Sequence, residues 1–386
     1  MITRLRIKNF RSLRDTDISL GVNNVLVGAN ASGKSNILDV LKFLGHIALF
    51  GVSKALNERL GFSEVAWKGV DPGPIQIIAN FVFDEEGQKY EVEYEIEIDG
   101  TATGLITIRR ERLTTMQDAR RMDIIDFSMG HGVARHLDGT QAFGSPGNPS
   151  QSALEANVPG WAGTKFKNYL ASWQYFELDP RAMKQVNQAG RANFLSQNGD
   201  NLAAWLATLK TSHSEQFRRL EQAARDAFPG LQEITAELTQ LQTTFVSSRE
   251  KFLKTPVHVW ALASGELCFI ALCSLILRPS ELGTTLNCLE EVENHLNPRL
   301  IETLVTLHKQ WQAVYAEEGG VPQVLITTHS PFVVDQFNLD ELIIVEKNRG
   351  ETRAFRAKDN MSLQELLSDQ EQGLGDLWYS GALGGI

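Results

Sequence analysis

Apolar and polar positions change period several times along this chain, and each change marks an element. Thr3, Leu5 and Ile7 alternate with Arg4, Arg6 and Lys8, which predicts an opening strand that Asn9-Phe10-Arg11-Ser12 breaks. A second short strand is expected over Val22 to Val27, running straight into a glycine turn. From Ser35 the residues Ile37, Leu38, Leu41 and Leu44 recur at helical spacing. The turn therefore joins a buried strand to a helix.

Between Pro74 and Leu113, Tyr90, Val92, Tyr94, Ile96 and Ile98 alternate with Glu91, Glu93, Glu95, Glu97 and Asp99. With turns at Glu86-Gly87 and Asp99-Gly100, and flanking runs Ile75 to Phe83 and Leu105 to Arg112, this predicts a three-stranded antiparallel meander with one wet, acidic face. Gly139 to Ser152 reads as an exposed loop. A helical stretch follows, broken at Asn198-Gly199-Asp200 and Pro229-Gly230, with Leu202, Leu206 and Leu209 on one face. Strand and helix then alternate: an apolar helix over Leu262 to Leu277, strands at Leu286 to Leu289, Val324 to Thr328 and Leu342 to Val345, and an amphipathic helix over Arg299 to Glu317. That order implies a mainly parallel sheet flanked by helices, with its ligand at the carboxyl ends of the strands.

Composition narrows the classes. A chain of 386 residues that is 42% hydrophobic and 22% charged buries a large core and implies two or three lobes. The longest apolar run, Leu267 to Leu277, is too short for a bilayer span, and the start at Met1 has neither apolar stretch nor cleavage site, so a cytoplasmic protein is expected. The three cysteines, Cys268, Cys273 and Cys288, lie in apolar segments and read as reduced core residues. A net charge of -10 argues against a protein coated in positive charge for nucleic acid. The basic clusters Arg109-Arg110-Glu111-Arg112 and Arg120-Arg121 read as solvated faces.

Gly28-Ala29-Asn30-Ala31-Ser32-Gly33-Lys34-Ser35 fits the phosphate-binding pattern at every fixed position, between the strand and the helix it requires. Its backbone N–H groups, with Asn36 opening the helix, point at phosphates; Lys34 adds a point charge and the Ser35 hydroxyl reaches magnesium. Leu286 to Glu291 is a strand ending in two acids that must point apart. We assign Glu290 to magnesium and Glu291 to the attacking water. Ser264 and Gly265 start a helix, where the plainer reading is an N-cap and the other an anion site. Thr328-His329-Ser330-Pro331 ends a strand with a histidine able to meet a γ-phosphate or its water.

In that order the motifs resemble the ABC-type ATPase heads of the RecF/SMC group, most closely the AAA-like ATPases related to the OLD proteins. The resemblance rests on residues 7–12, 28–36, 262–266, 290–298 and 328–331, with 175–180 and the tail 377–385 also similar. It implies a fold class of α/β, a P-loop NTPase ABC-type head with an antiparallel β meander and a helical insertion. The expected lobes are 1–165 with the phosphate loop and meander, 166–255 as the helical insertion, and 256–386 with the signature, Walker B and His-switch motifs. It further implies that two heads bind head to tail around ATP and Mg2+, Ser264 and Gly265 of one completing the site of the other. Arg11 and Ser12 would lie near the nucleotide, and Gln174 is a Q-loop candidate by position. Glu290 stands where many relatives have Asp, Val292 where proline is frequent and Asn297 where histidine is frequent, which points to slow hydrolysis.

The leading expectation is thus a cytoplasmic ATPase whose nucleotide-dependent homo-oligomer serves anti-phage defence with a separate effector protein. About 50 residues follow His329, too few for the Toprim nuclease domain of OLD proteins, so an effector is expected on another polypeptide. The alternatives are a RecF/SMC-like DNA-binding ATPase of repair or chromosome maintenance, which the acidic charge disfavours, and a nucleotide-gated module that barely turns over.

Overall fold

The computed structural model describes residues 1–70, 73–85, 88–101, 104–117, 120–144, 147–279, 282, 284–317, 320–360 and 373–379. The expected turn at Glu86-Gly87 and tail residues 380–385 lie outside the described residues. The chain forms two compact units, Met1–Trp173 with Phe337–Ile386, and Gln174–Gln336.

In the first unit the predicted meander is the centre of a wider antiparallel sheet. Its strands are β1 (Ile2–Phe10), β2 (Leu13–Ser19), β4 (Ile75–Glu85), β5 (Gln88–Gly100), β6 (Ile106–Gln117), β7 (Arg120–Ser128), β8 (His131–Arg135) and β9 (Gln141–Gly144), in the order β2-β1-β4-β5-β6-β7-β8-β9. Val92, Tyr94, Ile96 and Ile98 are buried, as the alternation requires. Strand β5 continues through Asp99-Gly100, and the reversal falls between Thr101 and Leu105. A bulge at Ile2/Arg4 turns Ile2 inward, where the simple alternation had placed Thr3. Strand β2 escaped the sequence reading because only Leu13, Thr16 and Ile18 of its seven residues face inward. The expected loop Gly139 to Ser152 contains β9 and ends at the N-cap of a 3-10 turn, Ala153–Glu155, closed by a Ser152–Glu155 capping box.

The basic cluster on β6 is spent on cross-strand pairs, while Arg121 on β7 lies 3.9 Å from Asp123 of its own strand. Arg112 meets Asp123 at 3.0 Å, Arg110 meets Asp126 at 3.1 Å, and Arg109 pairs with Asp99. Between them Glu111 turns inward, 1% exposed, opposite Ile96. Apart from this sheet the unit holds strands β3 (Asn23–Val27), β17 (Leu342–Asn348) and β18 (Glu351–Arg356). Strand β17 runs parallel to β3, and β18 returns antiparallel through a tight turn at Arg349-Gly350, both with positive φ. The helix Lys34–Phe50 buries Ile37, Leu38, Leu41 and Leu44, and its Phe43 packs on Phe10.

The second unit holds a parallel sheet of β10 (Gln174–Phe176), β15 (Leu286–Glu290) and β16 (Gln323–Thr328). Residues 202–227 form the expected helices, Leu202–Ser212 and Ser214–Ala227, broken at His213. After Pro229-Gly230 the chain is extended: β12 (Leu231–Leu238) and β13 (Thr243–Glu250) form a hairpin that β11 (Asn187–Gln188) and β14 (Val257–His258) flank. Around the apolar helix Ser264–Ile276 gather Trp205, Leu206, Leu220, Ile234 and Val246. The amphipathic helix runs over Pro298–Glu317 and buries Leu300 and Leu304. The three cysteines are buried and unpaired, and burial pushes the Cys268 thiol up to about 12. Among the described residues no helix is long and apolar enough to cross a membrane.

Candidate active site

Strand β3 ends at Val27, and the next eight residues form a tight loop whose shape depends on its glycines. A Cβ on Gly28 would stand 2.2 Å from the Val345 carbonyl oxygen; Gly33 has φ +110 and a Cβ there would meet Thr352 Oγ1 at 2.1 Å. A side chain at Gly28 would have to displace the Val345 backbone, and one at Gly33 would take a strained φ and displace the Thr352 side chain. Gly33, in the left-handed region, is the N-cap and brings the first turn of the helix to the loop. Lys34 is 7% exposed, its Nζ donating to Gly28 O at 2.6 Å and Ala29 O at 3.0 Å. Asn30, Ala31 and Ser35 are exposed at the mouth. A concave backbone with helix-tip N–H groups, one ammonium and one hydroxyl fits a phosphate chain with its cation.

The loop is braced from below by residues far away in sequence. Asn36 Nδ2 donates to Ser12 Oγ at 2.6 Å, Ser12 Oγ lies 2.7 Å from Thr352 Oγ1, and Thr352 Oγ1 donates to Ser32 O at 2.8 Å. Ser12 is 9% exposed and belongs to this brace. Thr352 went unnoticed in the sequence, because nothing local marks a threonine on a late strand as a neighbour of residue 32. Arg11, in the left-handed region at φ 50, pairs with Asp39 at 2.8 Å, and Arg59 holds the other carboxylate oxygen of Asp39 at 2.7 Å.

In the second unit Glu290 ends β15 and His329 follows the end of β16, both at the carboxyl ends of parallel strands. A cleft of about 110 Å³ here is lined by Phe176, Glu177, Leu178, Leu289, Glu290 and Glu291. Glu291 has φ 47 and its N–H donates to Thr327 O at 3.0 Å; this left-handed step turns the second acid away from the first. Glu291 Oε2 accepts from Asn294 Nδ2 at 2.9 Å, and Oε1 lies 4.0 Å from His329 Nδ1. The sequence reading passed over Glu293, whose buried carboxylate accepts from Thr328 Oγ1 at 2.8 Å and the His329 N–H at 2.9 Å.

Gln174 does not reach this end of the sheet. It pairs with Asn287, three residues upstream of Glu290 at the start of the parallel strands, and its Oε1 accepts from the buried Arg278. Ser264 is not an N-cap: Ala263 caps the helix, with no side-chain bond of its own, and Ser264 is the first helical residue. Gly265 is required, because a Cβ there would lie 2.5 Å from the His295 carbonyl oxygen. Burial and the nearby Glu250 raise the pKa of Glu266 in the same turn. The structure thus gathers Arg11, Ser12 and Asn30 to Asn36 in one unit, and Ser264, Gly265, Glu290, Glu291 and His329 in the other.

A family model described as "AAA domain, putative AbiEii toxin, Type IV TA system" matches residues 133–335, more than half of the chain. The chain belongs to this AAA family. A second model, described as "AAA ATPase domain", matches residues 1–127. The DNA replication and repair protein RecF of Enterobacter sp. (strain 638) is 48% identical over 46 residues, and that of Cronobacter sakazakii equally so. The match spans 12% of this chain and 13% of the length of these curated relatives. Among solved structures, an Smc head bound to the C-winged helix domain of ScpA superposes with a TM-score of 0.57 at 15% identity, covering 92% of this chain and 97% of that one. A Pyrococcus furiosus Smc head with an extended coiled coil, bound to the C-terminal domain of ScpA, gives 0.53 at 13% identity, covering 95% and 99%. The fold is that of an ABC-type ATPase head of the RecF/SMC group.

Proposed function

We propose that this AAA protein binds Mg-ATP at residues 28–35 and hydrolyses it slowly. The observation that carries the reading is the loop itself, with Gly28 and Gly33 packed where a Cβ would displace Val345 or Thr352 and Lys34 drawn across it. Ser35 and Glu290 would hold Mg2+, which neutralises charge on the outer phosphates; Glu291 would orient and deprotonate the water, and His329 would meet the γ-phosphate. Asn30 to Asn36 give the cradle, and Arg11 flanks it.

In this reading ATP joins two copies head to tail, with Ser264 and Gly265 of one copy against the nucleotide of the other. The exposed Ala263 and the half-buried, uncapped Ser264 support that role. Two acidic chains repel one another, and Mg-ATP would offset the repulsion. The family description names a toxin of a type IV toxin–antitoxin system, which supports a defence role, OLD-like in its chemistry, with a separately encoded effector protein. Both Smc heads above are bound to a domain of another protein, which favours a protein partner here too. A cytoplasmic location accords with all of these.

The test is turnover and binding together. Wild type should release phosphate from Mg-ATP, Lys34→Ala should bind no nucleotide, and Glu291→Gln should bind it without turnover. ATP binding that survives Lys34→Ala undiminished would refute the site. DNA-stimulated hydrolysis with steep salt dependence would move the reading to a DNA-repair ATPase, as the RecF match suggests.

A further inference from the structure

We propose that Glu293 is the positioning residue of His329: its carboxylate, beside Nδ1, sets the orientation and the tautomer of the ring. The proposal rests on the ATPase reading for its consequence in turnover, while its geometry stands on the second unit alone.

In the run Glu290-Glu291-Val292-Glu293 the third acid differs from the second in burial. The Glu293 side chain is 8% exposed, while those of Glu291 and His329 are each 43% exposed. A carboxylate taken out of water is costly unless hydrogen-bonded, so its surroundings must supply donors. They do so on one oxygen. Oε1 accepts from Thr328 Oγ1 at 2.8 Å and from the His329 backbone N–H at 2.9 Å, and it lies 3.3 Å from His329 Nδ1. Glu293 is thereby fixed to the backbone of the residue whose ring it touches.

The chain path explains why this acid turns inward. Glu291 takes the left-handed conformation, and the Asn294 N–H closes a turn onto Glu291 O at 2.9 Å. Asn294 Nδ2 then holds the Glu291 carboxylate on the exposed side, 4.0 Å from the same ring nitrogen. Two carboxylates thus flank Nδ1, one buried and anchored, the other exposed. Carboxylates only accept hydrogen bonds, so the ring proton of a neutral imidazole belongs on Nδ1. In the ATPase reading the lone pair of the neutral ring is then on Nε2, the nitrogen able to take a proton from the attacking water. Glu293 itself, its side chain 8% exposed, acts only through His329.

The experiment is a double-mutant cycle with a spectroscopic arm. Glu293→Ala should lower kcat about tenfold or more while KM for ATP stays within about threefold, and Glu293→Gln, which keeps an acceptor oxygen, should recover most of the loss. In a His329→Ala background, Glu293→Ala should cost less than about twofold. An equal loss in both backgrounds would overturn the proposal, because a merely structural role does not need the ring. Nitrogen-15 spectra under alkaline conditions, where imidazoles are neutral, should place the His329 proton on Nδ1 in wild type and move it toward Nε2 in Glu293→Ala. A wild-type ring protonated on Nε2, or one indifferent to Glu293→Ala, would also overturn it. This arm uses no ATP, so a wild-type protein that fails to hydrolyse ATP removes the ATPase reading while the spectra still decide the role of Glu293.

Discussion

The Thr352 hydroxyl donates to the Ser32 carbonyl at 2.8 Å, although 320 positions separate the two residues. Through Thr352 the phosphate-type loop is tied to Ser12 and Asn36, so the loop's shape is set by three segments at once. Thr352→Val keeps the volume but leaves Ser32 O and Ser12 Oγ short of a partner. The expected cost is about 1–3 kcal/mol of stability, with nucleotide affinity several-fold lower. Urea unfolding and a nucleotide titration read the two effects, and an unchanged affinity would mean that the brace does not shape the loop.

Gly33→Ala meets the same threonine from the other side. The left-handed φ and the 2.1 Å approach to Thr352 Oγ1 both oppose a methyl group. We expect ATP affinity to fall at least about tenfold, read by fluorescent-nucleotide titration. Pairing the change with Thr352→Ala should recover part of the loss if the clash is its source.

Oligomerisation separates the nucleotide's role from that of the fold. Glu291→Gln with Mg-ATP should show about twice the apo mass by light scattering, and Lys34→Ala should stay at the apo mass with or without nucleotide. Gly265→Ala pushes on the His295 carbonyl at 2.5 Å and should weaken the ATP-dependent association more than ATP binding. Equal apo and ATP masses in Glu291→Gln would remove the head-to-tail scheme.

Glu111 makes stability depend on pH. Burial pushes its carboxyl above the ordinary 4.5, while Ser152 Oγ, the Ala153 N–H and Tyr94 OH donate to it and oppose the rise. An acid with a raised folded pKa binds its proton more tightly when folded. Its stabilising effect is present in full below 4.5 and is lost as pH rises through the raised value. The Glu111→Gln variant should therefore lack part of the decline in melting temperature that wild type shows from pH 4.5 upward. Parallel melting curves across that range would show that the buried acid does not set it.

The sequence by itself determined what short range can encode. Period-two alternation at Tyr90 to Asp99, helical spacing after Ser35, and the glycines around Lys34 each depend on neighbours a few residues apart, and the structure places strand, helix and tight loop there. Only the tertiary structure decided which distant groups meet. Thr352 lies beneath Ser32, Gln174 turns to Arg278 at the wrong end of its strand, and Glu293 closes on His329. Edge strand β2 and hairpin β12–β13 likewise take their extended form from pairing partners. The physical reason is common to all of them: a hydrogen bond or a strand ladder is satisfied by whichever group the fold delivers, and chain distance leaves no trace of that delivery.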